Sequence, residues 1–156
     1  MAQTWKDEDI SFEQIKDQTI AVIGYGIQGD AQANNMKDSG LNIVIGLKEG
    51  GASWQKAKDD GHEVLSVADA CKKADIIHIL IPDMIQAKVY KEEIAPNLSD
   101  GNALSFSHAA AIYWKWIDAP DNVDVIMVAP KGPGSKVRET YLENFGTPSI
   151  KFTSII

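Results

Sequence analysis

Between Thr19 and Gly29 the chain passes, with no linker, from an unbroken apolar run (Thr19–Ile23) into Gly24-Tyr25-Gly26-Ile27-Gln28-Gly29, which opens a helix-length stretch, Ile27–Ser39. Three glycines at this spacing, set between a strand and a helix, constrain the fold more than any other feature of the chain. Gly24 permits the tight turn, Gly26 lets backbone amides approach a pyrophosphate with no Cβ in the way, and Gly29 allows the helix to lie close on the strand. The unpaired N–H groups of that helix's first turn, and its dipole, favour phosphate charge. The pattern predicts dinucleotide binding. A glycine turn kept for packing alone is the alternative.

Short Ile- and Val-rich runs alternate with amphipathic stretches along the rest of the chain. Asn42–Ile45, Asp75–Ile81, Ala103–Ser107 and Val123–Val128 read as strands covered on both faces, with Glu63–Leu65 and Ser149–Phe152 as shorter candidates. Helices are expected at Ser53–Asp60, Val67–Lys73, Asp83–Ile94 and Ser135–Asn144. The alternation specifies an α/β fold, a doubly wound, mostly parallel sheet of the Rossmann-like dinucleotide-binding kind. Residues 1–156 make one domain, long enough to need no disulfide or metal staple. Cys71 has no partner for a bridge and reads as a buried structural thiol.

Composition excludes some partners. With 22 acidic and 15 basic side chains the formal charge is −7, and the basic residues are scattered, which argues against nucleic acid and acidic membranes. No apolar run is long enough to span a bilayer, and Met1–Asp9 is too polar for a secretory signal, so a cytoplasmic protein is expected. The apolar end at Ile155-Ile156 implies either pairing in the sheet or a further domain absent from this chain.

Ligands of open α/β sheets bind at the carboxyl ends of the strands. After the second strand, Glu49 stands 20 residues beyond Gly29, where an acid accepts hydrogen bonds from a ribose. Its charge repels a 2′-phosphate and favours NADH over NADPH; Lys48 and Ser53 pull the other way, and Lys48 and Glu49 also read as plain loop charges. Pro82-Asp83-Met84-Ile85-Gln86 follows the fourth strand, where Pro82 and Asp83 can serve simply to end the strand and cap a helix. His108 follows the fifth strand, where an imidazole can exchange a proton with a carbonyl or hydroxyl. His78, inside an apolar strand, reads as a packed core residue, and His62 as part of a polar turn. In Ala129-Pro130-Lys131-Gly132-Pro133-Gly134, two prolines and two glycines fix the path that presents Lys131. The loop can orient a carboxylate, or serve only as a rigid turn.

Together with Leu80-Ile81-Pro82-Asp83, Glu92-Glu93-Ile94-Ala95-Pro96-Asn97-Leu98 and Ser105-Phe106-Ser107-His108, these motifs resemble the amino-terminal domain of ketol-acid reductoisomerase from about Trp5 to Pro148. The resemblance implies an enzyme in which an acetohydroxy acid undergoes a Mg²⁺-dependent alkyl shift, followed by NAD(P)H reduction to a 2,3-dihydroxy acid, in valine and isoleucine synthesis. It implies cofactor contacts at Tyr25, Gly26, Ile27 and Gln28, at Lys48, Gly51 and Ser53, at Asp83, Met84, Ile85 and Gln86, and at Gly134 near the nicotinamide, beside Gly24, Gly29 and Glu49, which the glycine spacing and the position after the second strand point to. It implies catalytic roles for His108 and Lys131. Metal ligands are expected not here but in a helical carboxyl-terminal domain absent from this chain, and a homo-oligomer is expected.

Four departures from the family pattern bear on the site: Gly51 stands where many NADPH-using members carry serine and Glu49 where the residue is often small or neutral, both pointing toward NADH. Asp30 stands where the family usually has His, putting an anion near the expected phosphates, and Ala109-Ala110 replaces the usual Gly-Phe after His108. A different 2-hydroxy-acid dehydrogenase, and a nucleotide-sensing module with no turnover, are the rival readings.

Overall fold

The computed structural model describes Asp9 and residues 11–154; Ile155 and Ile156, expected to pair or to lead into a further domain, lie outside them. The strands are β1 (Thr19–Ile23), β2 (Asn42–Gly46), β3 (Glu63–Leu65), β4 (Ile76–Ile79), β5 (Ala103–Phe106), β6 (Asp124–Pro130) and β7 (Ser149–Ser154). The helices are α1 (Ile27–Asp38), α2 (Ala52–Asp59), α3 (Val67–Lys73), α4 (Asp83–Val89), α5 (Ala110–Tyr113) and α6 (Gly134–Leu142). The strands form one sheet in the order β3-β2-β1-β4-β5-β6-β7. All neighbours are parallel except β6 and β7.

Alternation along the central strands sends side chains to two apolar layers. Ala21, Ile23, Ile77, Ile79, Leu104 and Phe106 pack on one face against Ala70 and Cys71 of α3 and against Tyr90 and Ile94. Ile20, Val22 and Ile45 pack on the other against Ala33 of α1 and Ala57 of α2. Each of these large side chains, fully buried, contributes about 1.5–3 kcal/mol. Because α1 leaves β1 toward one layer and the segment after β4 packs in the other, the chain parts between β1 and β4. That opens a crevice at their carboxyl ends.

The expected helix Asp83–Ile94 changes character part-way. Regular α-helix ends at Val89, Tyr90–Ile94 forms a wider π-helical turn, and Ala95–Asn97 a 3₁₀ turn. The wide turn keeps Tyr90 and Ile94 buried while the Tyr90 hydroxyl donates to the Asp118 carbonyl at 3.0 Å. The short helix α5 has no counterpart among the expected elements. The expected end of the last helix, Asn144, is instead a left-handed residue (φ 56°) that terminates α6 and turns the chain back into β7.

The expected core residue His78 is buried in β4, where its Nδ1 lies 2.9 Å from the Ser105 hydroxyl. Burial lowers its pKa from 6.5 to about 4, so the ring is neutral in the native protein. Between these values the unfolded chain binds a proton that the native chain does not. Stability is therefore retained above pH 6.5 and lost as the pH falls toward 4, by at most about 1.4 kcal/mol per pH unit from this group. Urea unfolding at about pH 7.5 and about pH 5 is expected to show a smaller acid loss for His78→Gln than for the parent. Equal losses would assign the pH dependence to other groups.

Candidate functional site

At the carboxyl end of β1 the chain turns through Gly24 at φ +101°, a conformation that disfavours any side chain, and a Cβ there would lie 2.8 Å from Ile81 Cγ2. A Cβ on Gly29 would lie 2.2 Å from the Gly24 carbonyl oxygen. Packing alone thus explains both glycines. Gly26 is different: its backbone is extended (φ −80°, ψ −161°), open to any residue, and a Cβ would meet nothing within 4 Å. It precedes α1, whose amino end has no side-chain cap. Uncapped amides beside a glycine that the protein's own packing does not require fit the approach of an external diphosphate.

The side chains of this turn face the protein. Tyr25 is buried, donates to Asp60 Oδ2 at 2.8 Å, accepts from Asn34 at 2.9 Å, and meets His62 edge-on with ring centroids 5.5 Å apart. Burial, then Asp60, raises the Tyr25 pKa, so the hydroxyl stays protonated. Only the backbone of Tyr25 is offered to a ligand. His62, expected in a polar turn, is likewise buried, and burial lowers its pKa. The anion at Asp30 is compensated, since its carboxylate pairs with Lys56 and accepts from Asn34 at 2.7 Å. The expected penalty on phosphate binding is correspondingly reduced.

The first turns of α1 and α6 meet closely. A Cβ on Gly134 would lie 2.2 Å from the Ile27 carbonyl oxygen, so Gly134 is needed for this helix contact whatever else it touches. A groove of about 430 Å³ between them is lined by Tyr25, Gly26, Ile27, Gly134, Ser135 and Arg138. Gln28, in turn, donates from Nε2 to the Gly132 carbonyl at 3.0 Å, tying the turn to the Lys131 loop. On its other side that loop is held by the Lys131 N–H donating to the Pro148 carbonyl at 2.8 Å. The Lys131 side chain is exposed.

Beside β2, Lys48 and Glu49 are exposed, while Gly51 closes the loop by donating its N–H to the Lys48 carbonyl at 3.0 Å. A Cβ on Gly51 would lie 2.9 Å from that oxygen. Ser53 stands half-buried in the first turn of α2. Beyond β4 and β5 the fold brings Asp83 and His108 together, with Oδ2 3.3 Å from Nδ1. The Ala110 N–H donates to the same nitrogen at 3.4 Å. Met84 (89% exposed) and Ile85 present apolar surface nearby. Gln86 is turned inward, donating to the Ile81 carbonyl and to Asp83 Oδ1; its Oε1 is buried without a partner.

Among the described residues no three His, Cys, Asp or Glu side chains converge so as to hold a metal ion. The Cys71 thiol is buried and pushed up to about 12, which leaves it unreactive. A second groove, about 390 Å³, opens at the opposite edge of the sheet by Thr19, Asn42 and His62. It has no helix amino end, and its lysines are engaged: Lys37 with the Asp60 and Gly61 carbonyls, Lys73 with Glu63.

The profile of the family described as "Acetohydroxy acid isomeroreductase, NADPH-binding domain" matches residues 14–153. The chain belongs to this family. It is 83% identical over 150 residues to a protein of Nitrosopumilus maritimus named ketol-acid reductoisomerase (NADP(+)), and 77% identical to one of the same name from Cenarchaeum symbiosum. Each alignment covers 96% of this chain and 45% of the relative, so the chain spans less than half the length of these proteins. A solved NADH-preferring ketol-acid reductoisomerase from an uncultured archaeon superposes with a TM-score of 0.91 at 51% identity, over 95% of this chain and 46% of that one.

For this isomeroreductase domain the glycines separate into two experimental classes. Gly134→Ala is expected to lower Tm by about 5 °C or more through overpacking against Ile27. Gly26→Ala is expected to leave Tm within about 1 °C while weakening nucleotide binding at least roughly tenfold. Thermal melts and titration calorimetry check both. A Gly26→Ala protein with parental affinity would remove the diphosphate from this turn.

Proposed function

We propose that this domain binds NAD(P)H across the β1/β4 crevice and supplies the cofactor side of a ketol-acid reductoisomerase. That enzyme converts 2-acetolactate or 2-aceto-2-hydroxybutyrate to the 2,3-dihydroxy acid in branched-chain amino acid biosynthesis. The observation that carries this reading is Gly26: a helix start without a side-chain cap, at a glycine that neither its backbone conformation nor a neighbouring atom requires. The diphosphate rests on the first-turn amides of α1, and the nicotinamide half extends toward the ends of β4, β5 and β6. Met84 and Ile85 give that half an apolar neighbour. The dihydronicotinamide, when bound, supplies the hydride for reduction of the 2-keto acid.

His108 holds the proton that the reduced carbonyl oxygen takes up, and the Asp83 carboxylate, 3.3 Å from Nδ1, orients the ring. Lys131 orients the substrate carboxylate through its ammonium group. The Mg²⁺ of the alkyl shift finds no ligand cluster among the described residues, and its ligands belong to the part of the relatives' length that this chain does not span. The domain acts in the cytoplasm as part of a homo-oligomer, and the exposed Tyr113, Trp114 and Trp116 offer apolar surface for assembly.

Cofactor choice rests on three side chains beside β2. Glu49 opposes a 2′-phosphate and accepts from ribose hydroxyls, while Lys48 and Ser53 attract the phosphate. With both charges exposed and of opposite sign, their effects on a 2′-phosphate largely offset, which leaves NADH favoured by the ribose contacts and NADPH tolerated. Both preferences occur in the names of the similar proteins above. Glu49→Ser is expected to raise the NADPH-to-NADH affinity ratio roughly tenfold by calorimetry, and an unchanged ratio would remove Glu49 from the 2′ site. In the full-length protein, His108→Gln is expected to slow reduction of a 2-keto acid by roughly 10²–10⁴ with cofactor affinity unchanged. Parental turnover would leave His108 a structural residue.

A further inference from the structure

A line of hydrogen bonds crosses the domain from β5 to the Lys131 loop. The Ser105 hydroxyl lies 2.9 Å from His78 Nδ1, and His78 Nε2 lies 2.9 Å from Gln32 Oε1. Gln32 Nε2 donates to Gln28 Oε1 at 2.9 Å, and Gln28 Nε2 donates to the Gly132 carbonyl at 3.0 Å. The far end fixes the direction of the whole line. A carbonyl oxygen can only accept, so Gln28 must present its NH₂ group to Gly132 and its oxygen to Gln32. Gln32 must then donate to Gln28 and accept from His78, which places the His78 proton on Nε2 and leaves Nδ1 to accept from Ser105. Gln32 also lies 3.2 Å from the Ser107 hydroxyl, next to His108.

A packed sheet does not need this line. Apolar side chains of similar volume would fill the same space between β4 and α1 without the cost of burying polar groups, and a half-satisfied network is worse than none. Its members are nonetheless fully paired, and it ends on the backbone of the loop at the ligand edge. We propose that Gln32 and His78 are positioning residues. By holding the Gly132 carbonyl toward Gln28, they fix residues 131–134 in the conformation that receives the nicotinamide half of the cofactor. The inference rests on the NAD(P)H reading above and adds to it a selective effect: breaking the line affects the nicotinamide half and spares the half held by α1.

Titration calorimetry with NADH and with ADP-ribose, on the parent, Gln32→Met and His78→Leu, separates the two halves. The expected result is NADH binding weakened roughly five- to tenfold in both variants, the size of one lost hydrogen bond, with ADP-ribose affinity unchanged. Gln32→Met, at a half-buried position, carries the test if the buried His78→Leu lacks a cooperative thermal transition. Equal weakening of both ligands, or no change in either, overturns the positioning role. A parent that binds neither ligand overturns the NAD(P)H reading itself, and the inference with it. Nitrogen-15 spectra of the parent are expected to show the His78 proton on Nε2, and a proton on Nδ1 would contradict the direction of the line.

Discussion

The first turn of α1 leaves its backbone amides without a side-chain cap, and the geometry around it keeps them exposed at the sheet edge. Gly24 bends the chain out of β1, and Gly29 lets α1 settle against that bend so closely that a single Cβ would strike the Gly24 carbonyl. An uncapped helix amino end carries a partial positive charge that water solvates and a phosphate solvates better. The two buried apolar layers flank β1 and β4, which pair in parallel register, and the crevice lies between their carboxyl ends.

Around this turn the structure spends polar side chains on the protein and leaves the backbone for the ligand. Tyr25 and Gln28, both in the glycine motif, point inward: one to Asp60 and Asn34, the other to Gly132. Lys56 offsets the charge of Asp30, which would otherwise stand close to bound phosphate. On the far flank Arg138 joins α6 to α1 through Asn35 and Asp38, and Ser39 meets Tyr141 at 2.9 Å. These contacts bring α6 home beside α1 and carry the Lys131 loop across the sheet edge. The antiparallel direction of β7 follows from the chain turning back at Asn144, just after α6.

Much of this was legible in the chain itself, for definable reasons. Ile and Val runs such as Thr19–Ile23 fit only strands covered on both faces, and the glycine spacing fits only one kind of strand-to-helix turn. Signals of a different origin were hidden. The π-helical turn at Tyr90–Ile94 depends on where Tyr90 finds a carbonyl, and that carbonyl belongs to Asp118, distant in sequence. The short α5 is one helical turn with its Ala111 inserted under the sheet, too brief to show a period. Gln32 gave no sign because its partners, His78, Ser107 and Gln28, converge only in the fold. The inward turn of Gln86 was hidden too, because it follows from a bond to the Ile81 carbonyl at the β4–α4 turn.

The central claim is that a diphosphate lies on the amides opening α1. A ¹H–¹⁵N titration of the labelled chain with NADH tests it most directly. The account predicts saturable shifts concentrated at the amides of Gly26, Ile27, Gln28 and Gly29, with those of Asn42, Gly61 and His62 at the opposite sheet edge unmoved. Shifts clustered at that opposite edge, or none at millimolar nucleotide, would contradict it.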